Sequence, residues 1–302
     1  MLALGGIVFV LLAVFGGYLL EKGNPYVLLQ PAELLIVGGA ALGIILVANR
    51  PAVIRKMLAG ARAVFRPPTV SRAFFLRGLT MLYEVFCCMQ RGGAAAIEND
   101  VEDPWNSPTL SRYPDLLANE AALDFLCDSL RTMVIGSTEP RELDHLMDLD
   151  IEIQQRGRHE PVSALSSVAD SLPGLGIVAA VLGVVITMQT IGGSPERVGE
   201  KVAAALVGTF LGILLCYGMV GPVAARLDSI GEAHTQHLQI VRTAIVAFAN
   251  GSAPILALEN ARRSIPLEYR PSFVDMETTI RRTAVVPPLP GSKAHAPSSN
   301  YD

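Results

Sequence analysis

The sequence predicts an all-α membrane protein: four transmembrane helices, a large helical cytoplasmic loop and a helical cytoplasmic C-terminal region. Three observations carry this expectation. The 302 residues are 51% hydrophobic and 17% charged, with a mean hydropathy of +0.41, too apolar for one soluble domain of that length. The charges are segregated: residues 1–49 hold three (Glu21, Lys22, Glu33) and 172–225 hold four (Glu196, Arg197, Glu200, Lys201), leaving 45 in 50–171 and 226–302. No period-2 run or Asn-Gly hairpin signal occurs, so strands are not expected. A net charge of −4 with this hydrophobic content also excludes a disordered chain and a nucleic-acid-binding one.

The first span covers about residues 2–20. Met1 to Leu20 carries no charge and, at ~1.5 Å rise per residue, reaches about 30 Å, the thickness of a hydrocarbon core. A cleaved signal peptide fits poorly: a basic n-region is absent, the apolar run is too long, and Phe15-Gly16-Gly17-Tyr18 is a poor cleavage site. The second span, about 32–49, is shorter. Leu34 to Asn49 is uncharged, and it crosses with help from Gln30-Pro31-Ala32-Glu33 at its rim. Ser171 to Pro195 and Val202 to Ala225 are uncharged over 25 and 24 residues and place spans three and four at about 172–192 and 202–225.

After the second span come Arg50, Arg55, Lys56, Arg62 and Arg66 with no acid among them, whereas the loops 21–33 and 192–201 are balanced or slightly acidic. By the positive-inside bias, 50–170 is a cytoplasmic helical domain and both termini are cytoplasmic. Within it, Phe74, Phe75, Leu79, Leu82 and Phe86 recur at helical spacing. Asn119 precedes Leu123, Leu126, Leu130, Met133 and a stop at Gly136, and Leu143, Leu146, Met147 and Ile151 repeat the pattern. In 226–283, Leu227, Ile230, Leu238, Val241, Ile245 and Phe248 continue span four as an amphipathic helix. The tail 284–302, with Pro287-Pro288-Leu289-Pro290 and no periodicity, reads as disordered.

A few residues bear on chemistry. The four cysteines form no Cys-x-x-Cys pair and read as packing residues. No phosphate loop or Gly-x-Ser-x-Gly occurs. Among the histidines only His234 and His237, on an expected exposed helix face, are spaced for a metal, so neither enzyme nor cofactor is expected. Ion pathways through lipid usually carry a buried Asp, Glu, His or Lys. The spans hold none in their interior, so any titratable group must come from another chain. Ala204, Gly208, Gly212 and Cys216 recur every four residues, as do Gly176 and Ala180, and Ala179 and Gly183, so backbones can approach closely, within one chain or between chains.

Pro173 follows Asp170 and Ser171 at the expected start of span three, where a proline without an N–H is tolerated. Pro222 cannot donate to the carbonyl of Gly218, which leaves either a transducing hinge or a tolerated kink. The assigned topology puts both prolines at the cytoplasmic mouth of one helix pair. Thr209 and Tyr217 are the deepest polar groups of span four; each holds a water or bonds to its own helix backbone.

Several of these runs resemble the MotA stator family of the bacterial flagellar motor: Gly16-Gly17-Tyr18-Leu19, Gln30-Pro31-Ala32-Glu33-Leu34, Asp170-Ser171-Leu172-Pro173 through Gly176-Ile177-Val178-Ala179-Ala180-Val181, Val207-Gly208-Thr209-Phe210-Leu211-Gly212, Pro222, and Arg270-Pro271-Ser272-Phe273. The resemblance covers nearly the whole chain. It implies a stator subunit of the inner membrane, several copies, five by resemblance, surrounding MotB-like single-span partners whose membrane aspartate carries the proton. It also implies that Pro173 and Pro222 couple protonation to movement and that Ala180 and Thr209 face the ion path. Sodium-driven relatives carry a threonine where Ala180 stands. Sodium needs several oxygen ligands and a proton one acceptor, so alanine favours protons. Each charge crossing contributes ~2.3 kcal/mol per 100 mV, more than the roughly 0–1 kcal/mol of an exposed ion pair that a sliding contact must remake.

The family meets the rotor switch protein through an arginine and a glutamate of the cytoplasmic loop. Glu98 matches the acidic member. The position of the basic member is Gln90, with Arg91 beside it as a substitute through a one-residue shift. Asp150 matches a further acidic position. For all three, a solvated helix face is the competing account. Two other readings are an ExbB/TolQ-type energiser, which lacks the N-terminal hairpin, and a non-conducting membrane scaffold, which leaves the prolines unexplained.

Overall fold

The computed structural model describes residues 2–66, 70–136, 138–189 and 194–283. The expected tail, 284–302, and residues 190–193, at the end of expected span three and the start of the loop after it, lie outside the described residues. Every regular element among the described residues is helical. Four helices are long and apolar enough to cross a membrane, lying within Leu2–Leu20, Pro25–Ala48, Pro140–Met188 and Val198–Ala249.

The chain divides into two compact units, residues 1–67 with 155–232, and 68–154 with 233–302. This partition cuts across the blocks of the hydropathy reading: the flanks 50–67 and 155–170 group with the apolar helices.

The first unit contains α1 (Leu2–Leu20), α2 (Pro31–Ala48), α3 (Pro51–Ala63), the 155–188 part of α7 (Pro140–Met188), α8 (Pro195–Leu215) and the start of α9 (Gly221–Ala249). Prolines 31, 51 and 195 each open a helix, where a missing N–H breaks no bond. Val37 and Ala41 of α2 pack with Val168, Ala169, Leu172 and Ala179 of α7 and with Cys216. Met57 of α3 packs with Ala164, Leu165 and Ala224. No residue of α1 is buried, although Phe15 meets Phe210 edge-on with ring centroids 6.4 Å apart. Its outer surface suits lipid or another chain.

The second unit is a helical domain with one large core. It contains α4 (Arg72–Gly92), α5 (Glu98–Glu102), α6 (Glu120–Ile135), the beginning of α7, the 233–249 part of α9, α10 (Pro254–Ser264) and α11 (Phe273–Thr283). The expected boundaries of α6 are those observed. Asn119 accepts from Ala122 N at 3.4 Å, and Gly136 ends the helix at φ +85°, where a side chain would be strained. Phe86 stacks flat on Phe248 with centroids 4.4 Å apart. Leu143, Met147 and Ile151 are buried as the periodicity predicts, but Leu146 is exposed, because α7 turns only a narrow apolar stripe to this core. Arg242 clamps α9 to α7 through Asp144 and Asp148, each at 2.7 Å.

Candidate functional site

The membrane-side residues gather on the antiparallel pair formed by α7 and α8. A Cβ built on Gly176 would lie 2.7 Å from the carbonyl oxygen of Gly208, and one on Gly212 would lie 2.5 Å from that of Leu172. A Cβ on Gly183 would lie 2.6 Å from the Cβ of Ala205. The small-residue faces therefore serve packing within the chain, at backbone-to-backbone distance. Ala205, not Ala204, faces the partner helix. Ala180 and Thr209, flanking these contacts, are half-buried, and Tyr217 is 73% exposed, on a surface open to lipid or another subunit.

The prolines differ from expectation. Helix α7 runs unbroken from Pro140 to Met188, with Pro161 and Pro173 inside it, so Pro173 does not open a helix. Leu172, Val168 and Ala169, buried around it, hold the helix together across the lost hydrogen bond. The register of the pair, with Leu172 against Gly212 and Ala164 and Leu165 against Ala224, staggers Pro173 and Pro222 along the axis by about nine residues, or about 13 Å. They do not share one level. The proline near Pro222 in this register is Pro161, which is buried and lay outside the apolar runs that drew attention to the other two.

Just before Pro222 the chain makes a π-helical turn, Cys216–Val220, in which Gly221 N–H bonds to Cys216 O. The helix then resumes as α9 without a stop. The proline thus follows a locally widened turn of a kind frequent at functional sites.

Glu33 lies in the first turn of α2, as a rim position requires, but it is only 7% exposed, buried against Gly183 and Gly208. A local hydropathy reading could not find this, because the groove it fills is made by glycines 150 and 175 residues away in sequence.

The charged candidates lie in the second unit. Arg91 occupies the last turn of α4, which ends at Gly93 with φ +75°. A single 3₁₀ turn, Ala94–Ile97, leads to Glu98 at the start of α5, anchored by the buried Ile97. Gln90, Arg91 and Glu98 are all exposed. Neither Arg91 nor Glu98 forms an ion pair among the described residues, so both charges face solvent. Asp150 is half-buried and accepts from Gln154 at 3.3 Å, which gives it a structural role as well. By contrast, Glu84 is fully buried and paired with Arg112, a purely structural pair.

The buried cysteines and His237 of this unit behave as packing groups. Burial pushes the Cys88 and Cys127 thiols up to about 11, so they stay protonated and inert at neutral pH. His237 was expected on an exposed face. Its ring instead packs against Phe74 and Phe75, its Nδ1 has neither solvent nor, among the described residues, a partner, and burial lowers its pKa to about 4. His234 meets Asn119 across 3.1 Å, so the two histidines do not converge on a metal position.

A glycine-packed helix pair with proline interruptions inside a four-span membrane unit, joined to a charged helical domain, defines a multi-pass membrane subunit of the ion-channel type. Two family profiles match: "Motility protein A N-terminal" over residues 4–93 and "MotA/TolQ/ExbB proton channel family" over 118–240. Motility protein A of Salmonella typhimurium is 36% identical and that of Escherichia coli 37%, each alignment covering 93% of this chain and 95% of the relative. Chemotaxis protein LafT of Vibrio parahaemolyticus is 34% identical over 90% of this chain and 95% of its own length. The chain belongs to the motility protein A family and is a MotA-like stator subunit, a multi-pass protein of the inner membrane. Its fold is shared with solved structures of Campylobacter jejuni MotAB (TM-score 0.74, 18% identity, 88% of this chain and 96% of that one) and of the Bacillus subtilis flagellar MotAB stator complex (TM-score 0.72, 21% identity, 91% and 98%). The match of the N-terminal profile to the first hairpin disfavours the ExbB/TolQ reading.

Proposed function

We propose that this subunit forms the channel wall and the force-transmitting arm of a proton-driven flagellar stator. The observation that carries this is the α7–α8 pair: it is packed through glycines, keeps Ala180 and Thr209 half-exposed, and offers no ionisable side chain of α7 between Leu172 and Met188. Such a wall needs a titratable group from outside. A MotB-like single-span partner supplies it as a membrane aspartate, in keeping with the MotAB complexes whose fold the chain shares. About five copies surround the partner, by family resemblance, and the apolar exposed face of Ile177, Val181, Leu182 and Val185 meets the partner or the next copy.

Both termini are cytoplasmic in this reading, supported by the run of arginines after α2. Pro173 and Pro222 transmit the aspartate's protonation to the helices, and Tyr217 lies on the surface facing the partner. Glu98, Arg91 and Asp150 act on the rotor switch protein; the free charges of Glu98 and Arg91 support this, and the half-buried Asp150 supports it least. No catalytic residue or cofactor is required, because the proton is itself the coupling ion.

The test is to express the chain with its partner in a stator-less motile strain and vary the coupling ion. Swimming should persist without sodium and stop on adding a protonophore. Dependence on sodium with resistance to the protonophore would refute the proton assignment.

A further inference from the structure

One carboxyl of the membrane unit is not used by the mechanism above. Glu33 lies in the first turn of α2, and its Oε2 has no solvent contact and, among the described residues, no hydrogen-bond partner. A Cβ on Gly208 would collide with that oxygen, and one on Gly183 would come within 3.3 Å of Oε1. The carboxyl therefore fills the notch that these two glycines leave between α7 and α8, beside Ala179 and Ala205.

The charges around it are sparse. Helix α2 carries no other ionisable side chain, and α7 carries none between Leu172 and Met188. On α8 the nearest are Glu200 and Lys201, about two turns or ~10 Å before Gly208 along the helix. In the turn Pro25–Leu28, which packs on α8, Tyr26 is exposed. Glu33 forms no ion pair among the described residues. An ionised carboxylate in such surroundings carries a desolvation cost that no ion pair among the described residues offsets, whereas the neutral acid escapes that cost.

We propose that Glu33 is a proton-binding site belonging to this chain, held as the neutral acid between α2, α7 and α8. It exchanges its proton with water on the side where α1 and α2 are joined. Ionisation there places an unpaired charge against Gly183 and Gly208 and loosens the contact that sets the position of Ala180 and Thr209. The site thus makes the packing of the channel wall sensitive to pH on that side, in addition to the partner's aspartate. The proposal rests on the membrane placement of this unit and not on the coupling mechanism.

The test is infrared spectroscopy of the purified complex with its partner in lipid nanodiscs, reading the carbonyl stretch of protonated carboxyl groups at neutral pH. The wild-type complex should show an absorption that is lost in Glu33→Gln and kept when the partner's membrane aspartate is replaced by asparagine. If the Gln variant fails to copurify with the partner, Glu33→Leu, which needs no hydrogen bond, takes its place in the same spectra. Coinciding wild-type and variant spectra would show Glu33 ionised and overturn the proposal. In cells, Glu33→Gln should swim, with a speed that depends less on external pH than that of the wild type. An unchanged pH dependence would leave Glu33 a buried filler and also overturn it. Failure of the stator reading would look different: the infrared band would remain while motility proved independent of protons.

Discussion

The α-carbons of Gly176 and Gly212 sit so close across the α7–α8 contact that a methyl group added at either would lie 3.0–3.2 Å from the other helix's glycine Cα. No flexible side chain can give way there, since the obstructing atoms are backbone.

This closeness predicts that Gly176→Val or Gly212→Val forces the pair apart. Overpacking of this kind costs about 1–3 kcal/mol or more, and the variant should fail to copurify with the partner. Gly174→Ala, where an added methyl meets open space, should assemble normally. Normal assembly of Gly176→Val would contradict the packing described.

Pro173 and Pro222 interrupt the same pair at two levels. Replacing either by alanine restores an N–H and straightens the helix locally, so assembly should be kept while swimming is lost. Swimming at wild-type speed in both variants would return the prolines to tolerated kinks. The stagger adds a finer expectation: Pro161→Ala, near the level of Pro222, should slow swimming more than a substitution at the exposed Ser163.

Glu98 is exposed and, among the described residues, without an ion pair, so its replacement should leave stability within about 0.5 kcal/mol of wild type. Glu98→Lys should nevertheless reduce torque in tethered-cell measurements, with partial rescue by the reversed charge on the rotor. Unchanged torque would assign Glu98 to a merely solvated face.

His237 gives the second unit an acid-sensitive point. Its folded pKa of about 4 lies below the usual 6.5, so the unfolded chain binds more protons in between. Its contribution is present above about 6.5 and is lost as pH falls towards 4, by at most about 3 kcal/mol since the ring is partly exposed. Thermal unfolding of the detergent-solubilised protein should show this loss, and His237→Leu should flatten it. An equal acid loss in the variant would place the sensitivity elsewhere.

Much of this was legible in the sequence because it is local. A span needs only about 20 apolar residues, and α6 needs only Asn119, its leucine spacing and Gly136. The charges of Arg91 and Glu98 could be placed at the end of one helix and the start of another, with Gly93 between them. The glycine faces were legible as faces. Whether they met a helix of the same chain or of another was not, since spacing does not name a partner.

By itself, then, the sequence determined the number of spans, the cluster of arginines that follows the second one, the helical loop and the family resemblance. Each depends on composition or on a 3.6-residue period within one segment. Only the tertiary structure decided that Pro173 lies inside a 49-residue helix, that the two prolines are staggered, that His237 is wedged between phenylalanines and that Glu33 is buried against Gly183 and Gly208. These depend on the register in which distant helices pack, and register is set by the sum of many weak contacts between segments, which no single segment encodes.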